Sequence, residues 1–343
     1  MHLITDYQLI LDLLTPEGQE LGRTPVQVLE RYVEDARFSG ICTHSLPPLC
    51  IAKAATLVPL WRQAEIDPSL LGFRLDLDCD CDGTSHTFSK SYGLTALQRP
   101  VQHATASLRD KGQLRLEESV QYRLCAFHTQ PLPTNDHALQ GTPEVIPYPL
   151  QQQSLPALLP LDVSADQLMT SSFSVLLCEH ARRDLEQETL RSIEAGTEQA
   201  GMLVGHLNHD PHRQHVFLTI TAQVLADTQV ERQAMAFHFH AETFLAARDV
   251  IRLRGQGEHI IGWWHSHPTC QACLQSKDCT VNTLFFSEQD CLVHEAAFNQ
   301  PYMVAVVTGK ASERQAREPA LQMYGWQDGC IVQRDYLCIP SSA

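Results

Sequence analysis

The 343-residue chain is short of positive charge and has no long apolar run, and both shortages exclude function classes. Lys and Arg number 25 against 40 Asp and Glu, a formal net charge of -15. That balance argues against a nucleic-acid partner, because such proteins carry a basic face that displaces counterions from phosphates. Acidity alone names no partner. The longest apolar stretches, in SVLLC and YMVAVV, fall far short of the roughly 20 residues that cross a bilayer, so no membrane span is expected. The N-terminal MHLITDYQLILDLLTPEGQE has neither a basic stretch nor a small-residue cleavage site and reads as cytoplasmic. The motifs HExxH, GxSxG and GxxxxGKS/T are missing, which removes the zincin, α/β-hydrolase and P-loop readings. What the chain does have is 12 cysteines. Without an export signal, in a chain this long, reduced thiols and metal ligation are expected rather than disulfides.

The length favours two domains. Residues 24–40 read as a helix with Thr24 as N-cap, Pro25 in its first position and Gly40 as terminator. Residues 72–83 alternate and end at Asp-Gly, a half-buried strand entering a turn. A helix from about Pro100 to Lys111 and a strand over 119–128 complete a small mixed α/β accessory domain, residues 1–130. A linker over 131–165 follows, proline- and glutamine-rich between Pro131 and Pro160 and without hydrophobic periodicity. The second domain, 166–343, opens with a strand and helix over 173–196. It continues with the strand GMLVG, a polar turn, a strand over 215–224, the strand AMAFHFH (234–240), a helix over 242–254 and the buried strand HIIGWW (259–264). A helix from Ser287, the strand PYMVAVV and a closing hairpin through QMYGWQDGCIVQRDYLCI complete it.

His265 and His267 are separated by one residue directly after HIIGWW, so both imidazoles point the same way if the strand continues. Zinc needs neutral imidazoles held close together, and this spacing supplies two. Asp290 lies in SEQD, one turn into a helix that Ser287 caps, placed to reach back as a third, anionic ligand. Three protein ligands leave a fourth position for water. Glu198, in TEQAGMLVG, precedes a strand whose Gly201 and Gly205 permit close backbone approach. A carboxylate there can serve as base and then acid while the metal lowers the water pKa and polarises a carbonyl. Ser287 is placed to hydrogen-bond the oxygen of a tetrahedral intermediate. The expected chemistry is amide hydrolysis.

These ordered elements resemble the JAMM (MPN-plus) metalloprotease family: a glutamate before a GxLxG-like strand (Glu198 and GMLVG), then HSHP at 265–268, then SxxD at Ser287 and Asp290. The resemblance covers residues 170 to 338 and implies an α+β fold related to cytidine deaminases, with a mixed central sheet flanked by helices. It implies a catalytic zinc and cleavage of isopeptide or peptide bonds after the C-terminus of ubiquitin or a ubiquitin-like protein. The accessory domain and the insertion described next look more like bacterial operon-encoded members, which travel with ubiquitin-like, activating-enzyme and conjugating-enzyme homologues, some in antiphage defence. A metal-bearing scaffold module is the alternative from another class, since some MPN domains serve only in assembly. A peptidase acting on sulfur-carrier precursors or small cysteine conjugates is the enzymatic alternative.

Family members usually have about seven residues between the second histidine and the serine; here residues 268–286 intervene. This insertion carries Cys270, Cys273 and Cys279, which with Cys291 or His294 would hold a second, structural zinc. HFH at 238–240 repeats the HxH spacing but lacks an SxxD follower. HLNHDPHRQH (206–215) reads as a solvated turn centred on Asp-Pro. HPTCQAC suggests the deaminase PCxxC element, yet residue 267 is histidine where a deaminase needs glutamate. Cys79 and Cys81 read as small hydrophobes on one strand face. Of Trp263 and Trp264, either one is in the core and the other beside a substrate groove, or both pack in the core.

Overall fold

The computed structural model divides the chain into two compact units, residues 1–147 with 327–330 and residues 148–326 with 331–343. It describes residues 2–4, 7–26, 29–62, 69–128, 147–169, 171–226, 239, 241–267, 283–310 and 319–340. The linker residues 131–146, the strand over 234–240 apart from Phe239, and residues 268–282 with Cys270, Cys273 and Cys279 lie outside the described residues.

The first unit holds β1 (His2–Ile4), β2 (Tyr7–Leu14), β3 (Glu20–Pro25), α1 (Leu29–Cys42), β4 (Ile51–Trp61), β5 (Leu70–Cys81), β6 (Thr84–Gly93), α2 (Gln98–Asp110) and β7 (Gln121–His128). One sheet has the order β1-β4-β5-β6 and the other β3-β2-β7. The alternating strand over 72–83 is β5, and the Asp82–Gly83 turn after it has positive φ at both residues (50° and 77°), the twist a two-residue hairpin requires. Cys79 is buried on that strand as a small hydrophobe, and Cys81 is half-buried. The helix expected over 24–40 begins later. Thr24 and Pro25 end β3, an edge strand where the missing proline N–H costs no ladder bond, and Pro25 pairs with Ile10. Gly40 lies inside α1 rather than ending it, because a Cβ there would meet Leu46 Cδ1 at 2.6 Å and Phe88 Cδ1 at 3.1 Å. The glycine serves packing, not termination.

The second unit is a mixed α+β fold built on one sheet. Its elements are β8 (Leu150–Gln152), α3 (Ala165–Leu168), β9 (Phe173–Cys178), α4 (Glu179–Ala195), β10 (Ala200–Asp210), β11 (His215–Leu225), α5 (Ala241–Arg254), β12 (His259–Ser266), α6 (Glu288–Ala297), β13 (Val304–Lys310), β14 (Pro319–Gln327), β15 (Cys330–Arg334) and β16 (Leu337–Ile339). The strand order is β15-β14-β13-β12-β10-β11-β9-β16, with β8 also pairing to β10. Part of the expected linker is therefore sheet: Leu150–Gln152 pair with Leu207–His209, Leu155 is fully buried, and its N–H donates to the Asp210 carboxylate at 2.8 Å. The polar stretch after GMLVG is also mostly strand. β10 runs on to Asp210, so His206 and His209 are strand residues and only 211–214 turn. The expected closing hairpin ends at Arg334; Leu337–Ile339 instead pair with Leu176–Cys178 of β9.

β12 lies between β10 and β13, so both its edges are paired, and both its faces are packed. On one, Trp263 packs with Met202, Ala247 of α5, Phe298 and Ala305. On the other, Ser266 reaches Ser192 of α4. Trp263 and Trp264 point to opposite faces. Both are fully buried, so of the two arrangements the sequence left open it is core packing for both that holds. Each indole N–H finds an acceptor, His294 Nδ1 at 3.1 Å for Trp263 and Gln223 Oε1 at 3.2 Å for Trp264. Close strand approach depends on glycine: a Cβ on Gly201 would lie 2.3 Å from Val224 O and 2.6 Å from Trp264 Nε1.

Candidate metal centre

Strand β12 carries His265 as its penultimate residue, and His267 follows with its N–H donating to Thr308 O at 2.8 Å, so the extended path continues and both rings share a face. Their Nε2 atoms are 2.9 Å apart. Asp290 comes from α6, where Ser287 is the N-cap: its hydroxyl accepts from Asp290 N–H at 3.1 Å while Asp290 Oδ2 accepts from Ser287 N–H at 2.7 Å. This reciprocal capping fixes the carboxylate at the helix start. Its other oxygen, Oδ1, stands 3.2 Å from His265 Nε2. Among the described residues, His265, His267 and Asp290 are the set of metal-ligating side chains whose donor atoms all lie within 4.8 Å of one another.

The donors fit zinc. Ligand atoms on one tetrahedral zinc, at bonds of roughly 2.0–2.2 Å, stand roughly 3.3 Å apart, close to the 2.9 and 3.2 Å separations here. His267 Nδ1 lies 2.6 Å from the Thr283 carbonyl, an acceptor only, so Nδ1 carries the proton and Nε2 offers its lone pair inward. His265 stacks on Trp263 with ring centroids 4.9 Å apart and planes 15° from parallel, which sets its ring orientation. Burial, reinforced by His265, lowers the pKa of His267 and favours the neutral imidazole a metal needs. Burial alone would raise Asp290, but the hydrogen bond and charge of His265 and the Ser287 contacts outweigh it and hold the carboxyl below its ordinary range.

Glu198 enters from the loop between α4 and β10. Ala200 pairs with His265, and Gln199 and Ser266 are bonded through Ser266 N–H to Gln199 O at 2.8 Å, which brings Glu198 alongside His267. Its carboxyl is half-buried, and burial raises its pKa, opposed by His265 and reinforced by Asp290. The pairing of β10 with β12 thus sets Glu198 next to the cluster in the strand register. Direct contacts bring together His265, His267, Asp290 and Ser287, with Glu198 beside His267 in that register.

Residues 172–290 match the family model described as JAB1/Mov34/MPN/PAD-1 ubiquitin protease. This segment is a JAB domain. No curated protein matches the chain. The matched residues run from β9 to Asp290, so the JAB domain includes the whole cluster. Of the expected fourth ligands of the cysteine insertion, Cys291 is half-buried next to Asp290. His294 is fully buried, its Nδ1 takes the Trp263 N–H, and its ring stacks on Phe298 and Trp326, so it is a core residue. Sequence reasoning missed three contributors to the JAB domain's site. Thr283 holds His267 through a backbone oxygen, and the segment fits because Gly309 makes room: a Cβ there would lie 2.3 Å from Thr283 Oγ1. Phe285, 53% exposed, packs against His267 at 4.8 Å between ring centroids. Ser266, between the two histidines, ties the Glu198 loop to β12.

Proposed function

We propose that the JAB domain is a zinc-dependent peptidase that cleaves the amide or isopeptide bond after the C-terminus of a ubiquitin-like protein. The carrying observation is the convergence of His265 Nε2, His267 Nε2 and Asp290 Oδ1 beside a half-buried glutamate. A zinc ion held by these three side chains supplies Lewis acidity, lowering the pKa of a water molecule toward neutrality and polarising the substrate carbonyl. Glu198 takes the proton of the attacking water and returns it to the leaving amine. Its raised pKa suits both tasks, because a carboxyl that holds a proton more readily is a better base and a better carrier. Ser287 Oγ accepts the Asp290 N–H, which leaves its own proton to donate to the oxygen that gains charge.

The substrate preference rests on the family description and on the exposed Phe285 ring beside His267, an apolar surface for an extended tail. Activating- and conjugating-enzyme homologues are proposed as functional companions, with the first unit recognising substrate or partner. The test is incubation with ubiquitin-like proteins fused through their C-termini to a reporter, including any encoded beside the gene, with and without chelator. Cleavage is expected to need metal and to fall by about 10²–10⁴-fold in Glu198→Gln. Its acid limb is expected above the 4.5 of an ordinary glutamate, since only the ionised carboxylate acts as base and its proton affinity is raised. Chelator-resistant cleavage, or full activity in Glu198→Gln, overturns the assignment.

A further inference from the structure

We propose that Ser192 and Ser266 act as a positioning pair that fixes the main chain on both sides of Glu198, an inference that rests on Glu198 being the general base. Gln199 N–H donates to Ser266 Oγ at 2.8 Å, the Ser266 hydroxyl donates to Ser192 Oγ at 2.6 Å, and the Ser192 hydroxyl donates to the Thr197 carbonyl at 2.6 Å. The chain of hydrogen bonds starts on one neighbour of Glu198 and ends on the other. The Thr197 carbonyl can only accept, so Ser192 spends its one proton there and accepts from Ser266, whose shorter contact is to Ser192 rather than to Gln199 O (2.6 against 3.3 Å), and the series runs in a single direction. Backbone bonds close both ends: Ser266 N–H donates to Gln199 O at 2.8 Å and Thr197 N–H to Ser192 O at 3.2 Å. Thr197 is thus tied twice to Ser192, and Gln199 to Ser266 through both its backbone groups, with the Ser266 hydroxyl also 3.3 Å from Gln199 O.

The loop needs such a clamp. α4 ends at Gly196, in the left-handed conformation with φ 64°, and β10 starts at Ala200, so Glu198 belongs to neither element. Both serines are fully buried, where a completed hydrogen-bond chain is rigid and a broken one is costly. Ser266 lies between His265 and His267 and faces the opposite side of β12, so the residue that spaces the two imidazoles also anchors the glutamate opposite them. Metal ligands and base are held at a fixed separation through one side chain.

The experiment compares full-length wild type with Ser192→Ala, Ser192→Cys and Thr189→Val. Thr189 carries a buried hydroxyl on the same helix, bonded to Leu185 O at 2.6 Å and outside the clamp, and so controls for general loosening of α4. Amide hydrogen exchange at 197–199, zinc content, and kcat and KM on a cleaved fusion are the readouts. Ser192→Ala is expected to exchange at least about tenfold faster at 197–199, to keep its zinc and KM, and to lose about 10–100-fold in kcat. Ser192→Cys, of similar size but a weaker donor, is expected to fall between, and Thr189→Val to match wild type in both exchange and kcat. Unchanged exchange at 197–199 in Ser192→Ala overturns the clamp, and faster exchange with an unchanged kcat overturns its positioning role. If wild type cleaves no fusion, the hydrolase reading fails, and exchange alone then decides whether the clamp exists.

Discussion

Replacing Gly262 with alanine adds one methyl group to the middle of β12, three residues before His265. A Cβ there would lie 1.9 Å from the Val304 carbonyl oxygen and 2.9 Å from its carbon, backbone atoms of β13 that no rotamer change can move away. The two strands have to part by roughly 1 Å before that contact becomes tolerable, against a normal spacing of about 4.8 Å. Overpacking of this kind costs about 1–3 kcal/mol, and each ladder hydrogen bond it loosens adds about 1 kcal/mol, so the total is roughly 3–4 kcal/mol. Urea unfolding followed by fluorescence is expected to show a midpoint lower by about 1–2 M. Because β12 carries the ligands, zinc affinity in a competition titration is also expected to fall about 10–100-fold. Gly205→Ala is the control: its Cβ would lie 1.9 Å from Thr219 O, a clash of the same size, but it pairs with His259 at the far end of β12. That variant is expected to lose stability and keep zinc affinity. A Gly262→Ala protein with the wild-type midpoint, or equal zinc loss in both variants, refutes the argument that strand spacing sets ligand position.

Leu155→Ala is expected to cost about 2–5 kcal/mol in the unfolding of the second unit, because Leu155 is fully buried there; a change under about 0.5 kcal/mol would return this stretch to the status of a spacer. Glu258 is buried, and although burial would raise its pKa, the hydrogen bonds from Arg254 (2.6 Å) and Thr221 outweigh it and lower the value. Its ionised form is thus favoured by folding, so its contribution is present in full above the ordinary glutamate value of 4.5 and is lost as pH falls through the depressed one. Glu258→Gln is expected to be less stable than wild type at pH 7, with the gap closing below about pH 4 in paired denaturation curves; a constant gap would contradict this. Trp263→Phe removes the donor to His294 Nδ1 and part of the ring under His265. A stability loss of about 2–3 kcal/mol with weaker zinc binding is expected by calorimetry and titration, and unaltered zinc binding would show that the indole does not support His265.

The centre was legible in the sequence because its ligands sit in short local patterns. An HxH at a strand end puts two rings on one face by the period of the strand, and SxxD at a helix start fixes its carboxylate by capping. Elements with clean periodicity, such as β5, α2 and α6, were equally readable. What escaped depends on the rest of the fold. Whether Trp263 and Trp264 are both core stayed open in the sequence, because the pair of residues cannot announce that both faces of β12 are packed. Pro25 reads as a helix start by composition, yet it ends an edge strand because Ile10 is its partner. The stretch 148–165 lacks periodicity because its contacts are single anchors, Leu155 and the β8 pairing, rather than a repeated face. Thr283 acts through a backbone oxygen, and Ser192 through contacts distant along the chain, so neither leaves a motif.

Strand β16 pairs with β9, so the last strand of the second unit is laid against one from near its start. During synthesis β9 leaves the ribosome early and waits with one edge open until residues 337–339 follow. The sheet therefore cannot seal on a nascent chain that stops short of them, and the cluster of His265, His267 and Asp290 is expected to mature only after translation has passed that point. Deleting 337–339 would leave an open strand rim, an invitation to pair with other copies, so truncation there should show up as clumping.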